Sequence, residues 1–165
     1  MKKMTKLFCV AIVLIAFGLN TFAQATATAT ATIVTPISLA KTSDMNFGNL
    51  YSAAAGTASM STGGVRSVTG GVTAAPGGAT TAAVFTVSGT ANVTYAITLP
   101  GATTLTSGSN TMIVNGWVST PTPTGTIGAG GTQTLSVGAT LTVPATQPAG
   151  IYVTLAPFTV TVNYN

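Results

Sequence analysis

The side chains able to do chemistry are few and far apart. Beyond residue 23 the only charged groups are Lys41, Asp44 and Arg66, and there is no Glu, no His and no Cys. General acid–base catalysis, an activated thiol and a structural metal site all draw on those missing types. The composition therefore predicts a non-enzymatic protein with no catalytic residue, no cofactor-binding residue and no metal ligand. Lys41 and Asp44 flank a predicted turn, where Asp commonly hydrogen-bonds local backbone. Arg66, within GGVRSVTGG, could hold a carboxylate or pair with Asp44; we expect instead a solvated charge that discourages pairing at a strand edge. Trp117 with Tyr51, Tyr95, Tyr152 and Tyr164 could form a sugar-binding platform, but scattered aromatics in a sheet protein are expected to be core.

Two further patterns invite a chemical reading. Gly63-Gly64, Gly70-Gly71, Gly77-Gly78 and the stretch from Gly128 to Gly131 lack the Lys and following helix of a phosphate loop, so we read them as hairpin turns. Asn92-Val93-Thr94 fits a glycosylation sequon, but it falls within a predicted strand and is read as chance.

The elements that would position these residues begin after an export signal. Lys2, Lys3 and Lys6 precede an apolar run from Leu7 to Leu19, and Thr21-Phe22-Ala23 places small residues before Gln24. This layout predicts a signal peptide over residues 1–23, cleaved after Ala23. The run of about 13 residues is shorter than the roughly 20 a spanning helix requires. Cys9 lies at the start of that run rather than at its end, which is not the place of a lipidated cysteine. With the signal removed the net charge is only +1, which predicts no nucleic-acid partner. No second apolar segment is long enough to span, so no membrane span is expected in the exported chain.

Residues 24–165 contain 32 Thr, a β-branched residue suited to the solvent face of a strand. An Ala/Thr alternation over residues 24–32 forms a low-complexity leader. It is read either as a flexible remnant or as an extended strand that pairs with a neighbouring subunit through Ile33, Ile37 and Leu39. A single domain, 33–165, follows. Short alternating runs predict strands at Ile33–Leu39, Asp44–Leu50, within Gly56–Thr62, at Val65–Thr69, Ala82–Ser88, Asn92–Leu99, Thr111–Val118, Thr132–Val137 and Thr140–Val143, and within Ile151–Tyr164 where Pro157 interrupts. In the Ala82–Ser88 run, Val84, Thr86 and Ser88 lie opposite Phe85 and Val87. In the Asn92–Leu99 run, Val93, Tyr95, Ile97 and Leu99 share a face. Many short strands between turn signals predict an all-β sandwich.

Several stretches carry a family resemblance. Asp44-Met45-Asn46-Phe47-Gly48 resembles the early D-x-x-F-G strand of the DUF4402 family of secreted bacterial proteins. Gly64-Val65-Arg66-Ser67-Val68-Thr69-Gly70 is similar to its Arg-containing turn, and Val84–Gly89 with Tyr95–Pro100 to its central hairpin. Pro148–Tyr152 and Phe158–Tyr164 are similar to its closing strand. The same F-G strand, the ending and the penultimate Tyr164 also resemble, more weakly, spore coat U proteins and chaperone–usher pilins. That second resemblance implies an Ig-like, pilin-like Greek-key sandwich completed by strand addition from a neighbour. This chain departs from that pattern: it has no disulfide, and its leader lacks bulky alternating residues. The expected function is that of a secreted or cell-surface structural subunit, fimbria-like or coat-like, located outside the cell or in the periplasm of a bacterium. Its expected partners are copies of itself, or other surface-assembly partners, engaged through an edge strand or the N-terminal segment. The alternatives are an adhesion or ligand-binding module that uses Trp117 and the tyrosines, and a monomeric exported protein.

Overall fold

A computed structural model describes residues 23–165, and the expected signal peptide lies almost wholly outside them. Residues 23–33 belong to the first of two units, Met1–Ile33, and have no regular element and only exposed side chains. The second unit, Val34–Asn165, is an all-β sandwich of antiparallel strands. No helix occurs among the described residues, so none is long and apolar enough to cross a membrane.

The strands are β1 (Ser38–Ser43), β2 (Leu50–Met60), β3 (Arg66–Ala74), β4 (Ala83–Ser88), β5 (Thr94–Thr98), β6 (Thr103–Ser107), β7 (Asn110–Thr120), β8 (Thr124–Thr126), β9 (Thr132–Val143), β10 (Val153–Thr154) and β11 (Thr161–Tyr164). The larger sheet runs β1-β4-β9-β7-β6-β10, with the β2–β3 hairpin attached to β9, and the smaller runs β11-β5-β8.

β9 is the spine. One edge pairs with β7, from Ile113↔Thr142 to Thr120↔Ser136. The other edge is shared: Thr132–Val137 pair with β4, and Ala139–Val143 pair with β2. The handover falls at Gly138, where a Cβ would collide with the Met60 carbonyl oxygen. Leu135, Val137, Ala139, Leu141 and Val143 alternate onto one buried face, as the two-residue period of a strand requires. That single face serves two cores. Leu135 and Val137 join Phe85, Val87, Tyr95, Ile127 and Val162 under the smaller sheet. Leu141 and Val143 join Met60, Val72, Met112, Val114 and Phe47 under the β2–β3 hairpin. Burial of each large apolar side chain contributes about 1.5–3 kcal/mol.

Several expected boundaries are corrected. Thr132–Val137 and Thr140–Val143 are one strand rather than two around a turn, because Gly138 admits a passing strand instead of reversing the chain. Gly70-Gly71 likewise lies inside β3. Ala53–Ala55 bulge out of register opposite it, and Gly70 takes φ +68°, a conformation that costs glycine little. Gly63-Gly64 do close the β2–β3 hairpin. The turns at Gly77-Gly78 and at Gly128 to Gly131 connect strands that are not paired with each other. Asp44–Leu50 is not a strand: apart from the Asn46↔Thr81 bridge it is a loop that reaches β2 only at Leu50. The first strand begins at Ser38, past Pro36, rather than at Ile33. Asn92 sits in a turn before β5 at φ +62°, which Asn tolerates better than most residues. β6 and β8 have no counterpart among the predicted strands.

Candidate functional site

The chain's few charges are arranged locally. Lys41 Nζ lies 2.7 Å from Asp44 Oδ1, and both side chains are more than half exposed. Such a pair contributes little stability in water. Arg66 does not pair with Asp44, nor does it stand free as an edge guard. Its Nη1 donates to the Phe47 carbonyl at 2.6 Å and to the Asn49 carbonyl at 2.8 Å. The D-x-x-F-G loop is thereby clamped from β3. The Asn46 N–H and carbonyl bond to Thr81 at 2.9 Å each, Thr81 Oγ1 donates to the Asp44 carbonyl, and Asn46 Oδ1 accepts from Gly48 N–H. These bonds satisfy the backbone of an irregular segment while Phe47 enters the core, 9% exposed.

The aromatic side chains separate into two groups. Tyr95 is fully buried, with its hydroxyl donating to Gln133 Oε1 at 2.7 Å, and burial pushes its pKa above the ordinary phenol value. Tyr164 is a clasp: its hydroxyl accepts from Thr90 N–H at 2.7 Å and donates to the Thr35 carbonyl at 2.8 Å. The Thr35 N–H in turn reaches Thr90 Oγ1 at 3.0 Å, which fixes the chain as it enters β1. Tyr51, Tyr152 and Trp117 instead border one cleft. Trp117 packs on Phe158, with ring centroids 4.6 Å apart, and donates through Nε1 to the Gly101 carbonyl. The five aromatics considered as a platform are therefore not assembled as one. Two are structural fasteners in the other half of the sandwich, and three gather here.

The cleft encloses about 1040 Å³ between the Asp44–Ser52 stretch and the irregular segment from Gln147 to Phe158. Its floor is the first core cluster, with Met112, Val114, Leu141 and Val143, and Leu105 packs against it. Ile151 and Val153 stand exposed at its margin. Composition gives no sign of the cleft, because it arises where β10 is only two residues long and leaves the sheet without a full closing strand.

The sheet edges form the second candidate surface. Among the described residues the nine-residue β3 pairs only with β2, and Ser67, Thr69 and Thr73 on it are exposed. Its single charge, Arg66, is turned back onto the Phe47–Asn49 loop. The N-terminal segment contributes less apolar surface than expected. Ile37 and Leu39 pack on their own second core cluster, which leaves Ile33 and Val34 exposed ahead of β1.

A family model described as "Domain of unknown function (DUF4402)" matches residues 37–164, and the chain belongs to that family. No match was found among curated proteins or among solved structures.

Proposed function

We propose that this DUF4402 domain is an exported, non-enzymatic structural subunit of the bacterial cell surface that associates with copies of itself through a sheet edge. The observation that carries the reading is the nine-residue β3 edge, whose only charge is drawn inward. An open edge offers unpaired N–H and C=O groups to another strand, and exposed edge strands are usually protected by charge, Pro or a covering element. A net charge of +1 over residues 24–165 adds little repulsion between copies. The Ala/Thr segment ahead of β1 supplies a second, weaker source of strand pairing through Ile33 and Val34.

The test is the oligomeric state of three proteins by analytical ultracentrifugation: the full chain, the chain lacking Gln24–Val34, and Ser67→Lys/Thr73→Lys. The deletion stops before Thr35, which Tyr164 and Thr90 hold in the domain. Oligomers in the full chain that disappear in the double-lysine variant support edge pairing. Loss only on deletion assigns assembly to strand donation by the leader. Monomers in all three, across concentrations up to the solubility limit, overturn the proposal.

A further inference from the structure

The cleft serves neither the β3 edge nor the leader, and its chemistry is distinct from both. Its floor is formed by apolar side chains continuous with the core. Many of the polar side chains around it are engaged within the chain, although the exposed Tyr51 hydroxyl at its edge is not. Trp117 Nε1 donates to the Gly101 carbonyl at 2.9 Å, Tyr152 to Pro148 at 2.8 Å and Gln147 Nε2 to Thr111 at 3.2 Å. Ser52 Oγ donates to Pro144 at 3.1 Å, and Asn49 Nδ2 to Pro76 at 3.1 Å. The two charges at the cleft, Lys41 and Asp44, neutralise each other.

This pattern discriminates between ligand classes. A sugar, nucleotide or peptide loses hydrogen bonds to water on entry and must regain them from the walls. Walls whose donors already face their own backbone return few. An aliphatic chain asks for none and gains in proportion to the apolar area it covers. At about 1040 Å³ the cleft lies at the top of the roughly 300–1,000 Å³ spanned by small-molecule clefts, so a single chain enters it without strain. A bilayer surface fits poorly: the apolar floor is concave, and among the described residues no cluster of Lys or Arg stands beside it to meet anionic headgroups.

We infer that the cleft binds one aliphatic chain of a free single-chain amphiphile. The chain lies over Met112, Val114, Leu141 and Val143, and its polar end stays in water at the mouth beside Ile151.

The chain contains one Trp, and it borders the cleft, so emission from Trp117 reports occupancy. The full chain is titrated with octanol, decanol and decanoate below their aggregation limits, and separately with phosphatidylcholine vesicles. Equilibrium dialysis of labelled decanoate provides a readout independent of fluorescence. The expected result is saturable binding of one ligand per chain, similar for decanol and decanoate, with affinity rising roughly fourfold per methylene. Ser52→Phe, which projects bulk into the cleft, and Ile151→Asp, which places a charge at its exposed margin, each weaken binding about tenfold or more. Ile151 is 84% exposed, so that variant keeps the fold, and an unchanged melting temperature verifies it. Three results overturn the inference: no saturable binding by either readout, affinity independent of chain length, or partition into vesicles without binding of free decanol. Binding that appears only after removal of Gln24–Val34 also overturns it, assigning the cleft to the leader of another copy.

Discussion

Arg66 holds two carbonyls with one nitrogen, at 2.6 and 2.8 Å, and so converts an irregular loop into a fixed part of the core. Hydrogen bonds from a charged donor contribute about 1.5–3 kcal/mol each. Arg66→Ala is therefore expected to destabilise the domain by about 2–4 kcal/mol in urea unfolding, with Arg66→Lys intermediate because its ammonium still donates but sits on a shorter stem that falls short of the position of Nη1. Tyr95 gives a pH signature at the same scale. Its folded pKa lies above its unfolded value because burial disfavours the phenolate. The stabilisation is complete below about pH 10, where both states are protonated. Above that, the unfolded state releases its proton first and stability falls as pH rises toward the folded pKa. Tyr95→Phe should flatten this alkaline decline, measured as urea midpoints from about pH 8 to 11. Both roles escape a sequence reading for one reason. An isolated Arg among small residues and an alternating Tyr look the same whether they are exposed or clamped, because their partners lie 17 to 19 and 38 residues away.

At the scale of elements, local alternation identified β4 and β5, with Phe85 and Val87 facing inward and Tyr95 in the core, because burial on one face imposes the period directly. Glycine was misleading. Gly138 and Gly70-Gly71 have the composition of turns, yet they sit within strands where another backbone passes or bulges, an arrangement set by non-local pairing. The cleft was illegible on the same grounds, since it depends on how few residues of Gln147–Phe158 pair with β6. Gly138→Ala tests the distinction. A methyl directed at the Met60 carbonyl must separate β2 from β9, and overpacking of this kind costs about 1–3 kcal/mol, visible as a lower melting temperature. A residue in an ordinary exposed turn would change stability by less than about 0.5 kcal/mol. Tyr164→Phe should act on a different junction. It removes both hydroxyl bonds at the entry to β1, so amide exchange at Thr90 is expected to accelerate while the β4–β9 amides stay protected.

At the scale of the whole molecule, the scarcity of charge becomes a prediction about salt. Residues 24–165 carry +1, and their three charged groups are held in a local ion pair and an inward clamp. Raising ionic strength from about 0.01 to 1 M shortens the Debye length from about 30 to 3 Å, which weakens contacts made by exposed charges. Edge pairing along β3, whose one charge is turned inward, rests on backbone hydrogen bonds and apolar contact, so its association constant should change by less than about threefold over that range. Excluded salts such as sulfate should strengthen it, because they favour burial of surface. Ser67→Lys/Thr73→Lys should invert the pattern: like charges brought together across the edge abolish association at low salt, and screening restores part of it at high salt. Sedimentation at several salt concentrations separates these cases. A wild-type association that fades steeply with salt would place the contact on charged groups and remove the β3 edge from the account.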